Sequence, residues 1–334
     1  MKISSVNLQN VLYDLFVTYK FTKEKAEILA HTFTESTLDG VSSHGINRVP
    51  LFIDYLNKGV INKDAEAKKI ASFGNIERWD GHIGPGILNA RTCTSRAIEL
   101  AKEHGMGMVA LRNTNHWMRG GSYGIQAAEA NCISILFTNT QPNMPPWGGK
   151  DSRIGNNPFV ISIPRKKGHV VLDMALSQYS FGKINDYKLK GEKLPFHGGW
   201  DDTNELSKDP EKILRKERGL PIGYWKGSAL SMVLDMLATI LSAGNSTRNI
   251  SSKKIETAIS QVYICIYPEV FNAKGLEQKL IDEIIDFTKD VELINPNQNV
   301  YYPGERSAQT RAKHLKEGIE VNEDIWKSIL ALAQ

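Results

Sequence analysis

Leu8, Val11, Leu12, Leu15, Phe16 and Tyr19 recur at helical spacing behind the capping candidates Ser4 and Ser5, which predicts a first amphipathic helix. A second spans 22–38 and stops at Asp39-Gly40. After the short segment SSHG, Pro50 falls near the first turn of a third helix, with Val49, Phe52 and Leu56 on one side and Asn57-Lys58-Gly59 closing it. The first sixty residues therefore read as all-helical. From about Lys69 the texture changes to short β-prone runs, IASF, GMVALRN, CISILFTN, PFVISIP and HVVLDM, separated by Gly, Pro and Asn. Between them 89–104 and 121–130 have helical composition, and 228–242 reads as a long apolar helix buried in the core. The stretch 195–221, rich in Gly, Asp and Lys, fits a solvated connection better than part of a binding surface. QVYICIYPEVF adds a strand, 276–290 a helix, and the chain returns to helix from Pro303. The expected fold is mixed α/β, with a helical segment at 1–68, a mixed α/β region at 69–302 and a helical segment at 303–334.

Composition narrows the class without naming a function. Of 334 residues 41% are hydrophobic and 23% charged, enough apolar surface for a sizeable core. The net charge of +4 is slight and dispersed, so neither a nucleic-acid nor a membrane partner is expected. Cys93, Cys132 and Cys265 form no CxxC pair, which predicts no disulfide framework, no metal site and a reducing compartment. MKISSVNLQN has no apolar stretch before a cleavage site, and Asp235 interrupts the most apolar segment. The expectation is a cytoplasmic protein without a membrane span.

HExxH, a Walker loop, a G-x-S-x-G elbow and GxGxxG between strand and helix are all absent. The sharpest local constellation is Ser42-Ser43-His44-Gly45 with Arg48, just ahead of a helix. Free N–H groups and the positive dipole end there favour an anion, Arg48 could clamp a carboxylate, and the dipole would make His44 a better acid. The same spacing also fits a plain cap at Ser42 or Ser43 with His44 as a loop residue. A second cluster, Arg112, Asn113, Asn115, His116 and Arg119, is either a functional loop at a strand end or a polar turn with surface arginines. Asp173 closes HVVLDM, where it could orient a histidine, meet a cofactor hydroxyl or cap the next segment. Gly223-Tyr-Trp-Lys-Gly-Ser228, with Lys226 and free N–H groups, suits a phosphate cradle, and Pro303-Gly-Glu-Arg306 follows the same logic.

These segments are where the chain resembles the type-2 malate/L-lactate dehydrogenase family. VSSHGINRVPLFIDYLNKGVI, ALRNTNHWMRGGSYG, MPPWGGKDSRIGNNP, LPIGYWKGSALSMVLDMLATILS and YPGER carry the likeness, which runs from the first helix to the last. The resemblance implies a nicotinamide-binding fold unrelated to Rossmann domains, a mixed sheet with helical ends, and a homodimer with the cofactor near the subunit interface. It implies NADH as cofactor, with NADPH as the alternative, and a small 2-oxo acid as substrate. By the same resemblance His44 is the proton donor, and Arg48 and His116 are substrate contacts. His169, Val170, Val171, Leu172, Asp173, Met174 and Ala175 lie along the cofactor, as do Trp225, Lys226, Gly304, Glu305 and Arg306. Thr140 to Asn143, Leu176 to Ser180 and Phe196-His197 depart from the expected pattern in loops that could line the pocket. Competing expectations are a reductase of another 2-oxo acid or cyclic imine, and a non-catalytic sugar-acid binding protein using the Arg48 clamp alone.

Overall fold

The computed structural model describes residues 1–271 and 276–333. The chain opens with strand β1 (Lys2–Ile3) and helices α1 (Ser5–Thr18), α2 (Lys23–Leu38) and α3 (Val49–Asn57). The Ser4 hydroxyl accepts the Asn7 N–H and Thr22 accepts that of Lys25, so both predicted helix starts are capped. Hairpin strands β2 (Lys68–Phe73) and β3 (Ile76–Asp80) lead to α4 (Gly86–His104), β4 (Met106–Thr114) and α5 (Gly121–Glu129). Then come β5 (Ile133–Thr138), β6 (Phe159–Ile163) and β7 (Val170–Met174), followed by an excursion with α6 (Phe181–Leu189), β8 (Gly199–Trp200), β9 (Leu206–Ser207) and α7 (Pro210–Lys216). The chain closes through α8 (Trp225–Ser242), α9 (Thr247–Ser251), β10 (Ile259–Ile266), α10 (Leu276–Lys289), α11 (Glu305–Glu317), β11 (Ile319–Glu320) and α12 (Glu323–Leu332).

Seven strands form one mixed sheet in the order β2-β3-β4-β10-β5-β6-β7, with β3 and β4 parallel and the other neighbours antiparallel. Side chains alternate across it with period two. Val109, Leu111, Leu136 and Tyr263 join the core under α4 and α5, while Ala110, Phe137 and Val262 face α8 on the opposite side. A separate core joins the two chain ends: Phe16, Phe33 and Phe52 pack with Ile319, Trp326 and Ile329, and the Phe16 and Phe52 rings meet edge-on at 5.8 Å.

Several expectations need correction. Lys2–Ile3 is not helical, because it pairs with Ile319–Glu320 across nearly the whole chain. The polar run IERWD is strand β3, since Glu77 is buried against Arg96 and the Trp79 indole. The strand expected through PEVF ends at Ile266, and a 3₁₀ turn begins at Pro268, which lacks a ladder donor. The stretch 195–221 is no plain connection: it carries short strands, α7 and part of a small core of Ile184, Leu194 and Ile213. Helix α8 is only half-buried. Leu234 and Ala238 pack on the sheet, but Leu230, Val233, Met236, Leu237 and Ile240 remain 40 to 69% exposed, because one sheet face covers one side of a helix.

Candidate active site

His44 sits in the tight link between α2 and α3, where two 3₁₀ turns, Ser42–His44 and Ile46–Arg48, replace the simple helix start expected from sequence. The Thr37 hydroxyl accepts the Ile46 N–H at 2.9 Å. A Cβ on Gly45 would lie 2.3 Å from that hydroxyl oxygen and 3.0 Å from the Phe33 carbonyl, so the close seating of this link on α2 requires glycine.

The His44 and His116 rings stack at 5.6 Å between centroids and 20° between planes. Their outer nitrogens differ. The Met118 backbone N–H donates to His116 Nδ1 at 2.9 Å, and Met118 adopts the left-handed φ of +64° in doing so. A backbone N–H can only donate, so neutral His116 carries its proton on Nε2, and protonating Nδ1 would break that bond. His44 Nδ1 instead lies 3.1 Å from the Ser43 hydroxyl, which can donate or accept. His44 can therefore gain and lose a proton without breaking a fixed contact. Burial, then the cations Arg48 and Arg119, pushes its pKa down to about 4. The direction is the one expected from the sequence, and its cause is burial beside two cations. Burial also holds His116 well below the ordinary histidine range, assisted by Arg48 and His44.

Arg48, at the centre of this cluster, has no carboxylate within 4 Å and no side-chain hydrogen bond among the described residues. Arg112 and Arg119 are committed to Asp80 and Asp39. The surface-arginine alternative is thus set aside for Arg119, which is 6% exposed. Asn115 donates to the carbonyls of Ile83 and Gly84 and fixes the loop before His116.

Asp39 is the residue the sequence reading passed over as a helix stop. It terminates α2, where the helix dipole disfavours an anion by about 0.3–1 kcal/mol. Tertiary partners overcome that penalty: one oxygen accepts from Arg119 and the other from Arg311 of α11, which also pairs with Glu35. A carboxylate at a helix C-terminus was the available sequence signal. Asp39, Arg119 and Arg311 thereby join the His44 link, the His116 loop and the last long helix.

Beside this network lies a cavity of about 410 Å³, lined in part by Arg91, Arg119, Ser122, His169, Gly304 and Ser307. The run 169–175 does not act as a block. His169 and Val171 line the cavity, Val170 and Leu172 fall on the other side of the pleat, Met174 joins the core under α8, and Ala175 lies just past the strand. Asp173 accepts the Gly121 N–H at 2.8 Å and lies 4.0 Å from Arg119. Desolvation raises its pKa, with Arg119 and that N–H opposing.

The two expected cradles differ. At the start of α11 the N–H groups of Arg306 and Ser307 have no partner among the described residues, Gly304 closes on His169 and Val171 with φ +96°, and Arg306 packs over the Tyr301 ring at 4.6 Å. Glu305 faces away from this task, holding Lys289 and the Tyr302 N–H. At the start of α8 the N–H groups of Lys226, Gly227 and Ser228 bond to Gly223, Ile222 and Tyr224, so most of the free donors expected there are used within the turn. Trp225 and Lys226 do not line the cavity; Trp225 is 62% exposed. The cavity, with unpaired helix-start donors at one wall and a titratable histidine beyond another, fits an anionic cofactor next to a proton-transfer group.

Comparison with known proteins shows the family. The profile of the malate/L-lactate dehydrogenase family matches residues 3–330. The chain belongs to that family. It is 42% identical over 334 residues to a 2,3-diketo-L-gulonate reductase of Haemophilus influenzae, covering 99% of this chain and 100% of the relative. It is 41% identical over 333 residues to the protein of the same name from Escherichia coli, with the same coverage. The crystal structure of a malate dehydrogenase from Entamoeba histolytica superposes with a TM-score of 0.94 at 25% identity, covering 100% of this chain and 97% of that one. The protein is an oxidoreductase acting on CH–OH groups, with the mixed α/β fold of this family, and the family implies a nicotinamide cofactor. Among the described residues no helix is long and apolar enough to cross a membrane.

Proposed function

We propose that this family member reduces the C2 carbonyl of 2,3-diketo-L-gulonate to 3-dehydro-L-gulonate, with His44 as proton donor and NADH as cofactor. The observation that carries the reading is an arginine without a carboxylate partner, Arg48, beside the one member of a stacked histidine pair that can take up a proton without breaking a backbone contact. Relatives at 41 and 42% identity over nearly the whole chain supply the substrate.

Arg48 holds the C1 carboxylate through a charge-assisted fork and leaves the C2 carbonyl facing the two imidazoles. His116, fixed as the Nε2–H tautomer, donates a hydrogen bond to the substrate. His44 is neutral at pH 7 in the free protein, because its pKa is about 4. A substrate carboxylate on Arg48 offsets that cation's share of the depression while burial, its larger cause, remains, and it is the protonated fraction of His44 that releases a proton to the alkoxide oxygen. A nicotinamide bound there would supply the hydride for C2. His169, Val171, Gly304 and Arg306 would hold it along the cavity, with Val170, Leu172, Asp173, Met174, Ala175 and Glu305 supporting that wall.

The protein works as a homodimer in the cytoplasm. The exposed apolar face of α8 supports self-association, since Leu230, Val233, Met236, Leu237 and Ile240 form a stripe that water solvates poorly. Trp225 and Lys226, at the start of that helix, reach the cofactor across this interface. Three buried free thiols suit a reducing compartment. What supports a division at residues 68 and 303 is that the two helical ends share one core, joined by Ile87 and Met118 from the middle region, while the sheet has its own.

The test is kcat/KM for diketogulonate, pyruvate, oxaloacetate and a cyclic imine acid, followed at the nicotinamide absorbance with NADH and with NADPH. Diketogulonate with NADH should be the best pair. Another acid preferred by about tenfold overturns the substrate, and failure with every acid and both cofactors overturns the reductase reading.

A further inference from the structure

We propose that Glu256 determines specificity at this site, selecting a monocarboxylate with a hydroxylated tail over a dicarboxylate. The proposal rests on the reading of Arg48 as the carboxylate clamp and deepens it.

Glu256 lies in the link between α9 and β10, a stretch without a sequence motif. Two hydrogen bonds place that link against the active site. Thr257 donates to the Asn115 side chain at 2.9 Å, one residue before His116. Glu256 Oε2 accepts the Gln141 backbone N–H at 2.9 Å, which ties it to the 140–143 loop that departs from the family pattern. That loop is anchored in turn by Thr247, whose hydroxyl donates to the Thr140 carbonyl, and by Asn157, whose side chain accepts the Thr140 N–H. The carboxylate is thus held from both flanks and lies within electrostatic reach of Arg48 and Tyr55, though beyond ion-pair distance of Arg48. Its other oxygen, Oε1, accepts no hydrogen bond among the described residues.

The site therefore contains one open guanidinium and, beyond it, one anchored carboxylate with an open oxygen. In the proposed pose a 2-oxo acid holds its carboxylate on Arg48 and runs the rest of its chain toward Glu256. Hydroxyl groups there donate to Oε1, whereas a second carboxylate meets a like charge in a partly desolvated pocket. Burial also raises the Glu256 pKa, against the Gln141 N–H and Arg48, so the carboxylate already bears a desolvation cost that a hydroxyl donor relieves and an anion increases.

Glu256→Gln is the informative variant, because the amide oxygen can still accept the Gln141 N–H while the charge is gone. Inert probes separate specificity from structure: malonate as the dicarboxylate and gluconate as the hydroxylated monocarboxylate, each titrated calorimetrically into the intact protein. Malonate should bind about tenfold tighter in the variant and gluconate weaker, and the kcat/KM ratio of oxaloacetate to diketogulonate should rise about tenfold. A purely structural role would shift both probes in the same direction. Unchanged probe affinities, or a common shift of both, overturn the proposal. If the parent does not reduce diketogulonate but the probes still move in opposite directions, the substrate assignment falls and the role of Glu256 stands.

Discussion

The walls of the cavity and the outer face of α8 obey opposite rules. Beside the cavity the polar groups between the two chain ends are fixed: Asp39 binds two arginines, Asp173 accepts a backbone N–H, and the His116 tautomer is set by Met118. The α8 start has its backbone donors used internally, and the face beyond it is apolar and open. Two segments that look alike in sequence, YPGER and GYWKG, thus enter different environments. One leaves backbone donors free beside the cavity, and the other lies away from it with its donors largely used within the turn.

The sharpest probe of the inner region is His44→Asn, which should lower kcat by about 10² to 10⁴-fold with little change in NADH affinity. The loss should not depend on protein concentration. An unchanged rate, under conditions where chemistry limits turnover, removes His44 from the mechanism.

Next in size is a pH effect. With His44 at about 4 in the free protein, its protonated fraction falls about tenfold for each pH unit above that value. Reductive kcat/KM should therefore decline about tenfold per unit between about pH 5 and 8, while the profile of kcat breaks at higher pH because bound carboxylate offsets Arg48. A flat kcat/KM profile over that range contradicts the proton role of His44.

The outer region is tested by Met236→Lys, which puts a charge into the exposed α8 stripe. Sedimentation should show dissociation to monomers, and activity should fall about tenfold at low protein concentration and recover in part when the protein is concentrated. A variant that sediments like the parent places the dimer contact elsewhere.

The smallest effects come from comparing the two helix starts directly. Arg306→Ala should weaken NADH binding about tenfold at any protein concentration, measured by nicotinamide fluorescence. Lys226→Ala should weaken it by only about threefold, and only in the associated protein. Equal effects from both variants in the monomer would mean that the two starts share one cavity after all.

Much of the architecture was legible along the chain because it rests on local periodicity. Leu8, Leu12 and Leu15 recur at helical spacing, and GMVALRN and CISILFTN alternate or persist as strands whatever their neighbours. IERWD escaped notice because its polar residues are neutralised by Arg96 and Trp79, which arrive from elsewhere. Residues 228–242 misled for the converse reason: apolar composition says that a helix needs covering, not whether its own chain supplies the cover.

At the site, sequence determined which groups could do chemistry: an imidazole beside two serines, an arginine four residues on, and glycine-led cations ahead of helices. The tertiary structure decided which of them are available. Arg112 and Arg119 are spent on Asp80 and Asp39 while no carboxylate pairs with Arg48 among the described residues, and His44 rather than His116 can change protonation because a backbone N–H from Met118 occupies only one of the two rings. Glu256, 115 residues from the Gln141 donor that holds it, carried no local signal at all. Spacing along the chain records what a residue is and which helix or strand it joins. Whether a charge is paired, a nitrogen already bonded or an apolar face already covered depends on groups distant in sequence, and so emerges only when the chain is folded.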